Sequence, residues 1–380
     1  MAFTIGVVRE TEPGEKRVSM VPEVIGRLPK EDFEFLVEAG AGESAYISDD
    51  DYREIGARIV SRDTLYSEAD LVTRVAPPNA EETALFRSGG VLLSFLRPLD
   101  DPDGIRRLAD KGVTSFSVEM VPRITRAQRM DALSAMGVIS GYMAVLVAAG
   151  SLPKFFPLLT TAAGTMRPAK VLVLGAGVAG LQAIATARRL GAVTSGYDVR
   201  PVVREEVESL GAKFVELELE TTEAAGEGGY AKALGEEKQQ RQVELLTPYL
   251  ASSDVIISTA LIPGRKAPLL ISEEAVRQMT PGSVIVDLAA PNGGNCEVTV
   301  PGETVSRHGV TIHGVLNLPS EMSIHASSMY ARTLSAFITE FVKEGALDLD
   351  FEDDIIKGAC VTHEGKIVNE RVASLQQSNA

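Results

Sequence analysis

The chain has 380 residues and a mass of 40.5 kDa, too long for one ordinary domain and suited to two. A hydrophobic fraction of 45% and a charged fraction of 23% indicate a globular protein with a sizeable core. The formal net charge of −15 argues against broad nucleic-acid binding and against docking on anionic lipid by charge alone. The two cysteines, Cys296 and Cys360, have no disulfide pattern or metal-ligand spacing, so we expect reduced thiols.

The N-terminal part alternates short apolar runs with polar helical stretches, which is typical of a parallel sheet with helices on both faces. We predict strands at 4–8, 33–38, 71–75, 91–95 and 113–118, and helices at 22–28 and 105–111. The strand at 113–118 is expected to be the last of its sheet.

A long uncharged segment follows, with no charged residue from position 132 to 153, and predicts a helix at about 127–149. Its strongly apolar part covers only 142–149, and glycines interrupt it. We therefore expect a buried helix between domains and not a bilayer span.

The βα rhythm then restarts. It predicts strands at 171–174, 193–197, 214–216, 255–258, 283–287 and 310–313, helices at 179–190, 202–210 and 329–344, a polar acidic stretch at 218–242, and a frayed tail from Val372.

The predicted fold class is α/β, with two Rossmann-like, doubly wound parallel-sheet domains. Residues 1–135 and 320–380 would form the first domain, and residues 136–319 the second, inserted into the first. The cleft between two such domains is the default ligand site.

The strongest motif is G-x-G-x-x-G at Gly175, Gly177 and Gly180, directly after an apolar strand and at the start of a helix. Asp198 ends the next strand, where a carboxylate accepts hydrogen bonds from ribose hydroxyls and repels a 2′-phosphate. This favours NAD(H) over NADP(H). Arg200, two residues further on, is a counter-signal because arginine can accept that phosphate.

An acid or base for ordinary dehydrogenase chemistry is harder to find. The chain has four histidines, His308, His313, His325 and His363, and each is expected to be structural or superficial. No Ser/His/Asp, Cys/His or metal-ligand pattern occurs, so we expect no metal site.

A second polar segment lies at the start of the uncharged helix. Gln128, Asp131 and Ser134 are spaced so that a helix would place them along one strip, with Arg123 just before it. They would offer an amide, a carboxylate and a hydroxyl to a polar ligand. The alternative is a solvated helix face.

Together these segments resemble the NAD(H)-binding domain I, which forms the first portion of the alpha subunit, of proton-translocating NAD(P)⁺ transhydrogenase. The resemblance covers nearly the whole chain, and this family belongs to a superfamily with alanine dehydrogenase. It is carried by the segments 123–134, 175–180, 198–201, 228–231, 259–264 and 287–295.

The resemblance implies roles for individual residues. Arg123, Gln128, Asp131 and Ser134 would hold the nicotinamide end, and Tyr230 in a mobile loop would close over the nucleotide. The residues implied to contact the nucleotide elsewhere are Gly175, Gly177, Val178, Gly180, Asp198, Val199, Arg200, Gly229 and Leu261.

The resemblance also implies direct hydride transfer from NADH on this chain to NADP⁺ on a partner beta subunit, which needs no acid or base. A separate membrane-domain subunit would couple the transfer to proton translocation. We further expect a homodimer, located in the cytoplasm and attached to the inner membrane's cytoplasmic face through its partners.

Alanine dehydrogenase is the main alternative. That family needs a lysine, a histidine and an aspartate, and the corresponding positions here are Arg74, Arg97 and Pro291, although Arg17 is kept. A third interpretation is a module that binds NAD(H) without catalysing a reaction.

Overall fold

Central strands such as 71–73, 171–174 and 255–258 are short, mainly apolar runs that are buried along their length, as parallel strands covered by helices on both faces must be. The computed structural model describes residues 2–218 and 235–378. It divides into unit 1, Met1–Met136 with Pro319–Ala380, and unit 2, Gly137–Leu318.

The strands are β1 Phe3–Val7, β2 Phe33–Glu38, β3 Arg58–Val60, β4 Leu71–Thr73, β5 Val91–Ser94, β6 Thr114–Ser117, β7 Leu159–Thr161, β8 Gly164–Met166, β9 Lys170–Leu174, β10 Val193–Tyr197, β11 Lys213–Phe214, β12 Val255–Ser258, β13 Val284–Asp287, β14 Thr304–Arg307, β15 Val310–Gly314, β16 Val342–Lys343, β17 Ala346–Leu347, β18 Cys360–His363 and β19 Lys366–Ile367. The helices are α1 Pro22–Ile25, α2 Asp49–Glu54, α3 Arg62–Glu68, α4 Ala80–Leu85, α5 Pro102–Asp110, α6 Ala132–Ser151, α7 Val178–Arg189, α8 Arg204–Ser209, α9 Glu236–Ala251, α10 Glu273–Gln278, α11 Leu318–Glu321, α12 Ser323–Phe341, α13 Asp354–Ala359 and α14 Glu370–Ser378.

Unit 1 contains a sheet in the order β19-β18-β6-β5-β4-β1-β2-β3. The strands from β6 to β3 are parallel, whereas β18 runs antiparallel to β6. The prediction that 113–118 is the last strand of this sheet is therefore wrong. The C-terminal residues add β18 and β19, because buried side chains such as Val361 complete the core there.

Unit 2 contains a sheet in the order β11-β10-β9-β12-β13-β15-β14, parallel except for the edge strand β14. The chain reverses direction across the sheet between β9 and β12, so their carboxyl ends form the switch point at which doubly wound folds bind ligands. β1 and β4 occupy the same place in unit 1. The predicted fold class, two doubly wound parallel-sheet units, is confirmed.

Several predicted helical boundaries are wrong. The long helix begins at Ala132 because the preceding Thr125–Met130 forms a 3₁₀ helix and Asp131, with φ −75° and ψ 85°, interrupts the helical backbone. The polar stretch 218–242 contains the start of α9, and the tail expected to fray forms α14, in which Val372 is fully buried.

Among the described residues, α6 is long and apolar enough to pass the length and composition test for a membrane span. Core helices of globular proteins pass the same test, and 39% of the apolar window of α6 is buried inside the fold. The expectation of a wholly buried helix is thus only partly met, since Tyr142 is 37% exposed.

Within unit 2, the close packing of α6 on α7 depends on a glycine. A Cβ at Gly141 would collide with the backbone carbonyl of Ala179. Gly150, on the same helix, is exposed, and no heavy atom lies within 4 Å of where its Cβ would stand.

These two glycines give a matched pair of substitutions. Gly141→Ala should lower the free energy of unfolding by about 1–3 kcal/mol, because backbone must move to admit the methyl group. Gly150→Ala should be neutral or stabilising by up to about 1 kcal/mol, because alanine favours helix. Urea unfolding followed by circular dichroism measures both, and equal effects would contradict this packing of α6 on α7.

Candidate functional site

A glycine-rich turn joins β9 to α7 at the switch point of unit 2. Gly175 has a φ of +96°, which favours glycine, and a Cβ on Gly180 would collide with the carbonyl of Gly175. Gly177 is the N-cap of α7, and no heavy atom lies within 4 Å of its Cβ position. The first turn of α7 has no acidic residue. This helix N-terminus therefore presents backbone N–H groups on open surface, which suits a pyrophosphate.

Asp198 follows β10 and binds the same turn. Its Oδ2 accepts a hydrogen bond from the backbone N–H of Ala176 at 2.8 Å. The residue is 9% exposed, and Arg200 forms an ion pair with it at 2.8 Å. The carboxylate thus stands beside the glycine turn, as the sequence spacing predicts.

The loop after β12 supports the turn from the other side of the switch point. Thr259 donates its hydroxyl to the carbonyl of Gly175 at 3.0 Å. Asn295 accepts from the N–H of Ala260 at 3.1 Å and donates to its carbonyl at 2.9 Å, which fixes the backbone next to Leu261.

Asp287, at the end of β13, in turn holds Asn295. Its buried carboxylate accepts the backbone N–H of Asn295 at 2.9 Å and the hydroxyl of Ser258 at 3.0 Å. The sequence analysis assigned no role to Thr259, Asp287 or Asn295. For Thr259 and Asp287 the available signal was a polar residue at or just after a buried apolar strand, whereas Asn295 lies in a loop and has no such signal.

The remaining residues implied to contact nucleotide either lie near this turn or fall outside the described ranges. Val178 is 40% exposed and Leu261 38% exposed, whereas Val199 is partly buried against the core. Gly229 and Tyr230 lie outside the described residues.

The polar segment of unit 1 differs from its prediction. Gln128 is exposed in the 3₁₀ helix, and the break at Asp131 means that the predicted strip along one helix does not form. Asp131 instead precedes α6, and its carboxylate accepts the backbone N–H of Ser134 at 2.8 Å and the Ser134 hydroxyl at 2.5 Å. Arg123 precedes the 3₁₀ helix and is exposed.

Arg126 anchors this segment. Its guanidinium pairs with Asp353, the N-cap of α13, at 2.5 Å, and with Glu340 of α12 at 3.4 Å. The exposed Gln128 is therefore presented from a backbone that is tied to the C-terminal helices.

A buried ion network occupies the carboxyl end of the sheet in unit 1. Arg74, which follows β4, is fully buried and pairs with Glu82 at 2.9 Å and with Glu10 at 3.4 Å. It also donates to the hydroxyl of Tyr66 at 3.2 Å. The neighbouring Arg17 is held by Glu15 at 2.6 Å.

The two carboxylates of this network are not equally compensated, because Arg62 also approaches Glu82, at 3.9 Å, whereas Glu10 pairs with Arg74 at 3.4 Å. Burial raises the pKa of Glu10 to about 7, although Arg74 opposes the rise. Burial also acts on Glu82, but there the closer contact with Arg74 outweighs it and holds the pKa below its ordinary value. Glu10 is therefore the carboxyl group of the network that takes up a proton near neutral pH.

The other alanine dehydrogenase positions carry no acid or base. Arg97 has a left-handed backbone, with φ +50°, and pairs with Glu12 at 2.8 Å. Pro291 lies in a 3₁₀ turn, Ala290–Asn292. Among the histidines, the Nε2 of His308 lies 2.8 Å from an oxygen of the Glu273 carboxylate.

Comparison with known proteins gives consistent matches along the chain. Family models of alanine dehydrogenase/PNT match it in two segments, the N-terminal domain over residues 6–140 and the C-terminal domain over residues 144–370. A protein from Rhodospirillum rubrum, named as the first part of NAD(P) transhydrogenase subunit alpha, is 45% identical, and the match covers 96% of this chain and 97% of that one.

Solved structures match as well. A transhydrogenase structure from Sinorhizobium meliloti has a TM-score of 0.84 at 38% identity, covering 97% of this chain and 99% of its own. An L-alanine dehydrogenase structure has a TM-score of 0.83 at 25% identity, covering 100% of both chains. The fold therefore does not separate the two activities, and side chains at the strand ends must do so.

The raised pKa of Glu10 predicts a pH dependence of stability. Its folded pKa of about 7 lies above the ordinary value of 4.5, so its stabilising contribution is complete below about pH 4.5 and is lost as the pH rises through 7. Between pH 5 and 8, the free energy of unfolding should fall by on the order of 2–3 kcal/mol more in wild type than in Glu10→Gln. Urea unfolding from pH 5 to 8 measures it, with the exposed Glu31→Gln as control. Parallel profiles for wild type and Glu10→Gln would contradict the network.

Proposed function

The chain belongs to the alanine dehydrogenase/PNT family, and we propose that it is the NAD(H)-binding component, the first portion of the alpha subunit, of a proton-translocating transhydrogenase. In this role it passes hydride directly between its own NADH and NADP⁺ on a partner domain. The identity of 45% to the corresponding piece of the alpha subunit from Rhodospirillum rubrum, along nearly all of both chains, supports the assignment.

The observation that favours transhydrogenation over amino-acid oxidation is the environment of Arg74. Oxidative deamination needs an acid or base beside an open substrate pocket. Arg74, at the position of the lysine in alanine dehydrogenase, is instead buried between Glu10 and Glu82. A guanidinium stays protonated at any working pH and cannot serve as the base.

The residues of unit 2 fit a dinucleotide. The open surface at Gly177 and the N-terminus of α7 would take the pyrophosphate, and Asp198 would accept the hydroxyls of the adenosine ribose. Val178, Val199 and Leu261 would provide the apolar and backbone contacts around the nucleotide.

Hydride transfer between two nicotinamide rings neither releases nor consumes a proton at the reacting carbons. The protein must supply orientation, water exclusion and a separation of about 3–3.5 Å between the reacting atoms. We assign orientation of the nicotinamide end to Arg123, Gln128, Asp131 and Ser134. The two hydrogen bonds from Ser134 fix the orientation of the Asp131 carboxylate. The lone pairs of that carboxylate that Ser134 does not use would accept hydrogen bonds from a ligand.

The rest of the assembly follows from the same assignment. Gly229 and Tyr230 would cover the bound nucleotide, and a second copy of the chain would complete a homodimer. A membrane-domain subunit and an NADP(H)-binding beta subunit would couple the reaction to proton translocation and hold the chain at the cytoplasmic face of the inner membrane.

A paired assay tests the function. The chain, mixed with the NADP(H)-binding domain of a relative, should reduce an NADP⁺ analogue at the expense of NADH. Without that domain, it should not oxidise NADH when pyruvate and ammonium are added. Alanine formation would establish the alternative dehydrogenase, whereas NADH binding with neither reaction would indicate a binding module.

Substitutions at the nicotinamide end separate placement from affinity. Gln128→Asn or Asp131→Asn should slow hydride transfer by on the order of 100-fold, because displacing a reacting atom by about 1 Å has an effect of that size. NADH affinity should hardly change, since most contacts lie at the pyrophosphate and adenosine.

Stopped-flow transfer with the partner domain present measures this effect, and calorimetry measures the affinity. Arg129→Gln, on the same 3₁₀ helix, is the control and should transfer hydride at the wild-type rate. Loss of affinity with an unchanged rate at saturation would mean that Gln128 and Asp131 only bind, and no effect on either would make them a solvated face.

A further inference from the structure

We infer that Arg200 competes with the nucleotide for Asp198 and, once displaced, moderates the preference of the site for NAD(H) over NADP(H). Its guanidinium occupies the acceptor positions that the ribose hydroxyls require, so NAD(H) must displace it. The inference deepens the proposed function, because it rests on the assignment of Asp198 to the adenosine ribose.

The acceptor positions of Asp198 are filled by protein donors. Oδ1 accepts the backbone N–H of Arg200 and its Nε, each at 2.9 Å. Oδ2 accepts the backbone N–H of Ala176 and the Arg200 Nη2, each at 2.8 Å. A carboxylate has about four lone-pair positions, so these bonds saturate it. The Asp198 side chain is only 6% exposed and that of Arg200 15% exposed, so water screens the pair little.

Of the backbone N–H and guanidinium donors to Asp198, only the guanidinium can move away from the carboxylate. The N–H groups of Ala176 and Arg200 belong to the backbone of the glycine turn and of the segment after β10. The guanidinium stands on a flexible side chain and donates through both its Nε and its Nη2. A ribose presents a pair of adjacent hydroxyls, so it would replace the guanidinium bond for bond.

The displaced guanidinium remains charged and close to the ribose. Hydrogen bonding to Asp198 raises the pKa of Arg200, which is a cation in either position. A 2′-phosphate would be attracted by this cation and repelled by the Asp198 carboxylate. Specificity is therefore a balance between the two side chains, in which Arg200 lowers affinity for NADH and moderates the rejection of NADPH.

Binding measurements on three variants test the inference. Arg200→Gln removes the cation, and Arg200→Lys keeps the charge without the two-donor fork. Arg204→Gln is the control, because Arg204 lies on the next helix and pairs with Glu216. Calorimetric titrations with NADH and NADPH use the whole chain, with circular dichroism to verify that each variant is folded.

Arg200→Gln should bind NADH roughly two- to fivefold more tightly, since no ion pair must break. NADPH should bind more weakly, so that the ratio of the two dissociation constants widens at least about tenfold. Arg200→Lys should gain NADH affinity with little change in that ratio, and Arg204→Gln should match wild type.

Two results would overturn the inference alone. Weaker NADH binding by a folded Arg200→Gln variant, with an unchanged NADH to NADPH ratio, would mean that Arg200 only holds Asp198 in place. Unchanged affinities for both nucleotides would mean that the two do not compete. Absence of NADH binding by wild type would overturn the proposed function together with this inference.

Discussion

The saturated carboxylate of Asp198 is the interaction on which the proposed nucleotide site depends. It ties the end of β10 to the glycine turn through the N–H of Ala176 and holds Arg200 against the same point. The turn needs this support because Gly175 and Gly180 have no side chains of their own to stabilise it. The positive φ of Gly175 and the close approach of Gly180 to its carbonyl favour glycine at both positions. Thr259 supplies the matching support from the neighbouring strand.

The two units show how one topology acquires different chemistry. Both sheets have the same strand order around a switch point, between β1 and β4 in unit 1 and between β9 and β12 in unit 2. In unit 2 the switch point carries glycines, open surface and a helix N-terminus. In unit 1 the corresponding end carries the buried Arg74, which pairs with Glu10 and Glu82. A buried, paired guanidinium stays protonated, so Arg74 does not offer the base that amino-acid oxidation needs.

Much of this organisation could be predicted from the sequence. The apolar run before Gly175 is a clear strand signal, and the spacing from the glycines to Asp198 is enough to put a carboxylate beside the glycine turn. The local sequence pattern does not predict a strand's place in a sheet when contacts with distant parts of the chain determine it. The strand Cys360–His363 joins a sheet whose other strands lie far earlier in the chain, and no local periodicity reports that pairing.

The prediction of a helical strip through Gln128, Asp131 and Ser134 is wrong for a related reason. The spacing of Gln128, Asp131 and Ser134 suits a helix, but the Asp131 side chain bonds to the backbone of Ser134 and begins a new helix there. The hydrogen bonds from Arg200 to Asp198 could likewise not be predicted from the sequence, because two side chains two positions apart need not contact each other. In both cases the outcome depends on the direction in which a side chain points, which its position in the sequence does not specify.

The claim that hydride passes directly between two nucleotides, without an acid or base of the protein, is tested most directly by isotope transfer. NADH carrying deuterium at the transferred position of the nicotinamide ring would be incubated with this chain, the NADP(H)-binding domain of a relative and NADP⁺, and the products examined by mass spectrometry. Direct transfer predicts that the deuterium is retained in the NADPH formed and that none exchanges with water. Deuterium lost to solvent, or recovered in alanine when pyruvate and ammonium are present, would contradict it.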